Sequence, residues 1–205
     1  MEDALKKSEA LKKLKALIGT DLRPLAKKHK ITIRKKGKIN KGWAGHTLER
    51  YLGLALNSAQ CPNFGSWELK VIPLVQGPKS GLRVKETMAI TMIDGEEVKA
   101  RCFEESHLYA KLRKIVVVAR IFENKKETRS IVHSVRKFDL GDPETYKQVK
   151  ADYQLVRKTI KNRGLSKLTG AMGKLVQPRT KGAGHGSTSR AFYARTQFVA
   201  KIIGL

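Results

Sequence analysis

Two ionisable side chains, Glu68 and Lys70, stand two residues apart in the largely apolar run WELKVIPL (residues 67–74). If this run is a β-strand, both side chains lie on the same face, so a carboxylate and an ammonium group would be neighbours. A carboxylate in such a place can hold a divalent cation against a phosphate, while a lysine can offset phosphate charge and hold the attacking water. The chemistry that this pair suggests is the hydrolysis of a phosphodiester.

The same pair could also be an ordinary solvated ion pair on the face of a sheet. Two observations favour chemistry. The continuation VIPL predicts a strand near the centre of a sheet, where an idle charged pair would be costly. Glu49, nineteen residues before Glu68 on a predicted helix, could supply a further acidic group. The residues alone leave both interpretations open.

The charge of the chain indicates what it binds. Its 205 residues include 43 lysines and arginines against 18 aspartates and glutamates, and the net charge of +25 is spread over the whole length. A globular chain this cationic most often binds a polyanion, so nucleic acid is the expected partner, with a surface adapted for solubility as the alternative. With 40% hydrophobic residues the chain can bury a core, which excludes a disordered basic tail.

The cysteines indicate the cellular compartment, and the N-terminal residues indicate whether the chain contacts a membrane. Cys61 and Cys102 stand far apart without a signal peptide, so we expect free thiols in a reducing cytoplasm. No Cys-x-x-Cys or paired histidine spacing occurs, so zinc is not expected. Residues 1–19 alternate lysine and leucine at helical spacing, with no apolar run long enough to cross a membrane. We expect this helix to pack on the core, and no membrane partner.

Hydrophobic periodicity predicts helices first, then a sheet, then helices again. The predicted helices cover about residues 5–18, 21–29 and 43–56, a short stretch opening at Ser106, then 142–164 and 196–205. The predicted strands are SWELKVIPL, its antiparallel partner VKETMAITMI (84–93), residues 115–122 and RSIVHSVRKF (129–138). These elements indicate an α/β or α+β domain with a mostly antiparallel or mixed central sheet.

Several stretches are predicted to be connections. ITIRKKGKINKG (31–42) is predicted to be a basic connector, while VQGPKSGLR (75–83) and Asp94–Gly95 are predicted turns. RTKGAGHGSTSR (179–190) lacks the Gly-Lys-Ser/Thr ending of a nucleotide-binding loop. It is either a mobile surface loop or a loop whose glycines let the backbone approach a DNA groove. Its donors to bases or phosphates would be Arg179, Lys181, His185 and Arg190.

Four stretches in a fixed order give the chain a family resemblance. They are KGWAGHTLERYLGL (41–54), NFGSWELKVIPL (63–74), FEESHLYAKLRKIVVV (103–118) and SRAFYARTQF (189–198). Together they resemble the MutH-type endonucleases, which comprise a mismatch-repair nicking endonuclease and related type II restriction endonucleases of the PD-(D/E)xK superfamily. The resemblance covers about residues 38–205 and implies one domain over residues 1–205, with 1–37 as its N-terminal helical part. It implies a restriction-endonuclease-like core, a mixed central sheet flanked by helices, with a cleft for double-stranded DNA between two lobes.

The resemblance also implies roles for residues of this chain. Glu49 matches a helix carboxylate that supports the site, Glu68 the metal-binding acid and Lys70 the catalytic lysine. Lys111 resembles an additional lysine of the site. The implied cofactor is Mg²⁺, with Asn63, Glu68 and Leu69 as its ligands. To the loop donors the resemblance adds Lys41, near the phosphates, and Tyr193, an aromatic residue that contacts the recognition sequence.

Asn63 departs from the family pattern. Its intervals of fourteen residues from Glu49 and five to Glu68 suit the restriction enzymes resembling MvaI, in which an Asp stands at this position. Asparagine is nearly isosteric but neutral, so it should weaken Mg²⁺ binding and suppress cleavage by orders of magnitude while leaving DNA binding intact. The explanations are an Asp→Asn change made to inactivate the enzyme, a naturally impaired enzyme, or a neutral bystander, and we favour the first.

The function predicted from the sequence is a sequence-specific, Mg²⁺-dependent type II restriction endonuclease of double-stranded DNA, inactivated at position 63 and monomeric in solution. Three alternatives remain. A MutH-like nicking endonuclease would serve mismatch repair, and a catalytically silent relative would only bind DNA. A general RNA-binding protein would leave the combination of Glu49, Glu68 and Lys70 unexplained.

Overall fold

The structure, a computed structural model, describes residues 7–54, 62, 64, 66–77, 81–123, 127–182 and 188–205. Two predicted site residues, Asn63 and His185, lie outside these ranges. The α-helices of the described residues are α1 (Lys7–Lys15), α2 (Leu22–Lys28), α3 (Trp43–Tyr51), α4 (Gly95–Ala100), α5 (His107–Leu112), α6 (Pro143–Arg163) and α7 (Thr196–Ile203). None of these helices is long and apolar enough to cross a membrane.

The strands of the described residues form three sheets. They are β1 (Arg34–Lys35), β2 (Lys38–Ile39), β3 (Glu68–Gln76), β4 (Leu82–Val84), β5 (Met88–Met92), β6 (Lys114–Ile121), β7 (Val132–Asp139), β8 (Val176–Thr180) and β9 (Arg190–Ala194). The predicted helices are confirmed with ends that differ by a few residues, as are the predicted strands at β3, β6 and β7. Local signals were sufficient for these elements.

Capping residues explain where the helices begin and end. The side chain of Asp142 accepts a hydrogen bond from the backbone N–H of Thr145 at 3.1 Å, and Pro143 occupies the first turn of α6. Gly164 ends α6 with a φ of 83°, a value that glycine adopts without strain. Asp21 caps α2 in the same way as Asp142, by accepting from the N–H of Arg23 at 3.1 Å.

The central sheet has the strand order β4-β3-β6-β7. Strands β3 and β6 are parallel, with Glu68 opposite Ile115, whereas the β3–β4 and β6–β7 pairs are antiparallel. A second sheet of order β5-β9-β8 is antiparallel, and β1 and β2 form a separate hairpin. A mixed central sheet flanked by helices confirms the predicted fold class.

The side chains of β3 alternate between two hydrophobic clusters. Ile72 and Leu74 belong to the first cluster and Leu69 to the second, so Glu68 and Lys70 project on the side of the first cluster, as the alternation predicted. The first cluster lies between the central sheet, the second sheet and helices α5, α6 and α7. The second cluster lies between the opposite face of the central sheet and helices α1, α2 and α3.

The predicted pairing of VKETMAITMI with β3 is wrong in part. The segment is divided between two sheets: β4, which ends at Val84, pairs with β3, while β5 pairs with β9 in the second sheet. Residues 85–87 lie between the two strands and pass the chain from one sheet to the other. Val84 and Met88 keep the same parity across the polar residues 85–87, so periodicity alone does not show that the partner changes.

Four segments predicted to be connections contain regular structure, and one of them, the predicted turn 75–83, holds the end of β3 and the start of β4. The basic connector holds the β1–β2 hairpin, in which Arg34 lies opposite Ile39. The glycine-rich segment begins with β8 and ends with β9, and these two strands pair with each other. The predicted turn at Asp94–Gly95 is the start of α4, because the Asp94 side chain accepts from the backbone N–H groups of Glu96 and Glu97 at 2.9 and 3.2 Å.

Asp152 fixes the start of β8. It is a buried residue of α6, and its carboxylate accepts hydrogen bonds from the backbone N–H groups of three residues, Lys174, Leu175 and Val176, at 2.9, 2.8 and 2.8 Å. The preceding Gly173 has a φ of 74°, and a Cβ at this position would lie 1.9 Å from the carbonyl oxygen of Val176. Glycine is therefore required here, and Asp152 holds the strand that carries Arg179 against α6.

Asp152→Ala should lower the free energy of unfolding by about 3 kcal/mol or more, because three backbone N–H groups lose a charged acceptor. Chemical denaturation followed by circular dichroism measures this change. Gln154→Ala, at an exposed position of the same helix, is the matched control and should change stability by about 0.5 kcal/mol or less. Equal losses in the two variants would contradict the anchoring role of Asp152.

Candidate active site

Strand β3 presents Glu68 and Lys70 to a cavity of about 520 Å³. Residues of β3 line one side of this cavity and residues of β5 line another, so it lies between the central and second sheets. Lys111 of α5 and Glu49 of α3 also line it. The structure therefore brings four residues from three predicted elements to one place, which we call the catalytic cavity after the role predicted for these residues.

Glu68 lies between two ammonium groups. Its carboxylate is 2.9 Å from Nζ of Lys70 and 3.6 Å from Nζ of Lys111, and only 3% of the residue is exposed to solvent. The Lys70 ammonium also donates to the backbone carbonyl of Ile90 at 3.4 Å, which links β3 to the second sheet. A buried carboxylate is stable only when it is compensated, and these two lysines compensate it.

The electrostatic environment lowers the pKa of Lys70. Burial is the largest cause, because it disfavours the charged ammonium form. The adjacent Glu68 carboxylate opposes this effect through charge and hydrogen bonding, whereas the positive charges of Lys111 and Lys181 add to it. Lys70 therefore releases its proton at a lower pH than an exposed lysine does.

Helix α3 positions Glu49 and Lys41 at the mouth of the same cavity. Trp43, Thr47 and Leu48 are buried on the inner side of α3, and the Thr47 hydroxyl donates to the Trp43 carbonyl at 2.7 Å. Glu49 is only partly buried and lines the catalytic cavity, as does Lys41 just before the helix. A second carboxylate thus reaches the site from the opposite face of the sheet.

The oxygen donors of the catalytic cavity fit a hard divalent cation. Glu49 and Glu68 supply carboxylates, and Leu69, which also lines the cavity, can contribute only its backbone carbonyl. Oxygen ligands of these kinds are those that Mg²⁺ and similar cations prefer. Among the residues that the structure describes, no group of three or more His, Cys, Asp or Glu side chains is placed to hold a metal ion. Water and position 63 would have to complete the ligand set.

A second cavity of about 920 Å³ adjoins the first and collects most of the predicted DNA-binding residues. Arg179, Lys181 and Tyr193 line it together with Lys41, so we call it the reading cavity. The Arg179 guanidinium lies 5.8 Å from the centre of the Tyr193 ring and donates to the Thr87 hydroxyl at 2.9 Å. Burial raises the pKa of the Tyr193 phenol, which keeps its O–H available as a donor.

Comparisons with known proteins show which proteins this chain resembles. The family model described as "DNA mismatch repair enzyme MutH" matches residues 52–152. The protein named DNA mismatch repair protein MutH from Shewanella sp. (strain W3-18-1) is 27% identical over 96% of this chain and 93% of its own length. Its namesake from Vibrio cholerae serotype O1 (strain ATCC 39541 / Classical Ogawa 395 / O395) is 26% identical over 95% of this chain and 94% of its own. These matches confirm the predicted resemblance to the MutH-type endonuclease family.

The similarity to the MutH proteins extends further than the sequence motifs indicated. Since alignments cover 95% to 96% of this chain, they include most of the N-terminal helical part as well as residues 38–205. A chain from the structure of a complex of restriction endonuclease MvaI with cognate DNA substrate is similar over 97% of this chain and 98% of its own, with 13% identity and a TM-score of 0.39. Both curated MutH relatives carry a mismatch-repair name, so they favour the nicking alternative over the restriction enzyme.

Not all predicted residues meet in the two cavities. Arg190 begins β9, and its guanidinium donates to the backbone carbonyls of Thr188 and Ser189 at 3.2 and 3.5 Å. Among the described lining residues of either cavity, Arg190 is not present. Position 63 and His185 lie outside the described residues, so their predicted roles stay predictions.

Three residues of the cleft were missed by the sequence analysis. Glu86 lines both cavities, and Thr87 accepts the hydrogen bond of Arg179, yet both lie between strands where periodicity carries no information. Arg120 lies 5.3 Å from the Trp43 ring centre and donates to Glu127 and to the Ser130 hydroxyl. A signal for Arg120 did exist, because a charged residue inside the buried run 115–121 needs a partner.

Glu68→Gln should lower the pKa of Lys70 further, because the carboxylate is the main group that raises it against burial. An NMR titration of the lysine Cε resonances in labelled protein measures this pKa, and Lys70→Arg assigns the resonance. Lys111→Arg keeps the neighbouring positive charge and is the matched control, with little change expected. A higher pKa of Lys70 in Glu68→Gln would contradict the arrangement described above.

The lowered pKa of Lys70 also determines how its contribution to the free energy of unfolding changes with pH. Folded Lys70 has a pKa below the ordinary value of 10.5, so between these two values the unfolded chain binds more protons than the folded chain. The contribution of Lys70 therefore makes the free energy of unfolding rise with pH across this window. Lys70→Met should remove this part of the pH dependence.

Proposed function

We propose that the chain is a divalent-metal-dependent endonuclease that nicks duplex DNA in the manner of the mismatch-repair MutH proteins. The observation that carries the proposal is the buried Glu68 carboxylate between Lys70 and Lys111, at the floor of a cavity that adjoins a second, basic cavity. The net charge of +25 supports a polyanionic substrate. The names of the curated relatives support mismatch repair as the setting.

In this proposal Glu68, Glu49 and the backbone carbonyl of Leu69 hold a divalent cation, with Mg²⁺ as the expected ion. When bound, the cation stabilises negative charge on the scissile phosphate and lowers the pKa of a coordinated water. With such a cation bound, the Glu68 carboxylate would be shared between it and the two lysines, Lys70 and Lys111.

Lys70 and Lys111 have different tasks in the reaction. The lowered pKa of Lys70 suits it to hold the attacking water and accept its proton, while water oxygen forms a bond to phosphorus and the bond to the 3′ oxygen of the leaving nucleotide breaks. Water from the solvent protonates the departing 3′ oxygen, so the products have 5′-phosphate and 3′-hydroxyl ends. The Lys111 ammonium, beside Glu68, offsets the negative charge that develops on the phosphate.

The reading cavity supplies recognition. Arg179 has a planar fork of donors suited to the edge of a guanine, and its contacts with Thr87 and Tyr193 hold that fork in one orientation. Lys181 lines both cavities, so it can contact DNA where the catalytic cavity and the reading cavity adjoin. Lys41 shares this position, whereas Arg190 at the start of β9 and His185, which lies outside the described residues, are proposed to contact the backbone or bases.

A type II restriction endonuclease is the second candidate, and one observation favours it. The intervals of fourteen residues from Glu49 to Asn63 and five from Asn63 to Glu68 match the spacing of the MvaI-like members. In either case we propose that the neutral Asn63 suppresses cleavage, because a neutral amide is a poorer ligand for a divalent cation than a carboxylate is. Duplex binding does not require that ligand.

Cleavage of supercoiled plasmid DNA with Mg²⁺ tests the proposal, with the unmodified protein and Asn63→Asp assayed side by side. Asn63→Asp should cut faster by orders of magnitude, because it restores a charged metal ligand. Accumulation of open-circular plasmid would identify a nicking enzyme, and direct conversion to linear plasmid would identify the restriction enzyme instead.

The control adds Lys70→Met to Asn63→Asp and should abolish cleavage in either form of the assay. Duplex binding measured by fluorescence anisotropy separates a loss of chemistry from a loss of affinity. Cleavage that survives Lys70→Met, or no cleavage by Asn63→Asp despite tight duplex binding, would contradict the proposed catalytic role.

A further inference from the structure

The hairpin β1–β2 is a strongly basic element that projects beside the cleft. Arg34 pairs with Ile39 and Lys35 with Lys38, and a two-residue turn of Lys36 and Gly37 joins the strands. Both turn residues have a positive φ, 48° and 76°, as a tight hairpin requires. Four cationic residues therefore fall within five consecutive positions of an exposed two-stranded ribbon.

The hairpin forms one wall of a third cavity, of about 600 Å³, which we call the hairpin groove. Arg34 and Lys38 line it on the hairpin side, and Lys85 and Phe122 line it on the side of the central sheet. Lys41, Pro73 and Glu86 are shared by this groove, the catalytic cavity and the reading cavity. The groove is thus a continuation of the cleft away from the catalytic residues.

The groove has an excess of positive charge. Its cationic residues are Arg34, Lys38, Lys41, Lys85 and Arg120, against the carboxylates of Glu86 and Glu127. Glu127 is buried and bonded to Arg120, so its charge is neutralised within the protein. Glu86 is exposed and lies 3.8 Å from Lys85. In the described part of the chain, Lys38 and Lys41 take part in none of the ion pairs.

The groove is also held in a fixed position relative to the catalytic residues. Ile33 and Ile39 pack against the second hydrophobic cluster. Asn40 closes the hairpin by donating from its side chain to the Thr32 carbonyl at 3.1 Å, and its side-chain oxygen accepts from the N–H of Gly42 at 3.1 Å. Helix α3, which carries Glu49, begins immediately after Gly42. On the other wall, the Lys85 ammonium lies 4.4 Å from the centre of the Phe122 ring.

We propose that the hairpin groove binds backbone phosphates of duplex DNA that lie beyond the nucleotides in the catalytic and reading cavities. The inference rests on the proposed function, because it assumes that a duplex occupies the cleft. Like charges placed across a two-stranded ribbon repel one another, and a row of phosphates removes this repulsion. Such contacts carry no sequence information, but they add affinity and set the position of the duplex.

The salt dependence of duplex binding tests this inference. The unmodified protein is compared with a triple variant, Arg34→Gln, Lys38→Gln and Lys85→Gln, by fluorescence anisotropy on a labelled linear duplex at several salt concentrations. Each lost phosphate contact reduces the slope of log K against log salt by about 0.9, so the triple variant should lose two to three units of slope and bind more weakly at low salt. Lys38→Gln alone, at an exposed hairpin position, should lose about one unit.

A triple variant on α6, Lys147→Gln, Lys158→Gln and Lys161→Gln, is the matched control, because it removes the same charge from exposed positions that line none of the three described cavities. Its slope should equal that of the unmodified protein. An unchanged slope in the groove variants, or an equal loss in the α6 variant, would overturn the groove inference while leaving the proposed nuclease intact. Failure of the unmodified protein to bind duplex DNA at low salt would overturn both.

Discussion

A carboxylate that is removed from water must be compensated, and the buried Glu68 is compensated by Lys70 from its own strand and by Lys111 from α5. This three-residue contact makes strict demands on the rest of the fold. β3 has to lie inside a sheet, and α5 has to bring Lys111 within reach of Glu68. The second sheet has to pack against Lys70, whose ammonium donates to the Ile90 carbonyl. Each of these demands corresponds to an element of the observed architecture.

Parallel pairing of β3 with β6 explains how Lys111 meets Glu68. A parallel pair requires a long crossover, and here the crossover contains β4, β5, α4 and α5. It returns through α5 directly into β6, where Ile115 lies opposite Glu68. Lys111, four residues before Ile115, therefore arrives at the same end of the sheet as Glu68. The same crossover places β5 in the second sheet, across the cavity from Lys70.

Much of this site could be predicted because its signals are local. Alternation placed Glu68 and Lys70 on one face, and capping residues such as Asp142 marked the long helix. Lys111 came from the family resemblance and not from spacing, because its approach to Glu68 depends on the crossover. The contact of Arg179 with Thr87 joins residues 92 positions apart, and neither composition nor periodicity carries that information. Strands β1, β2, β8 and β9 were not predicted, because they are short and the segments around them are rich in glycine and charged residues.

The cleft exists because one edge of β3 is covered only in part. In the described chain, β4 pairs with only three residues of β3, Leu74 to Gln76, and the N-H of Lys85 then bonds to the Pro73 carbonyl at 3.0 Å. Proline has no backbone N–H to donate, so Pro73 suits the point at which pairing with β4 stops. Beyond it, the strand from Glu68 to Pro73 has β6 on one side and the cleft on the other.

All three cavities meet at Pro73, Lys41 and Glu86, because that is where the sheet edge opens. The roles proposed for the three cavities are therefore compatible with one continuous duplex.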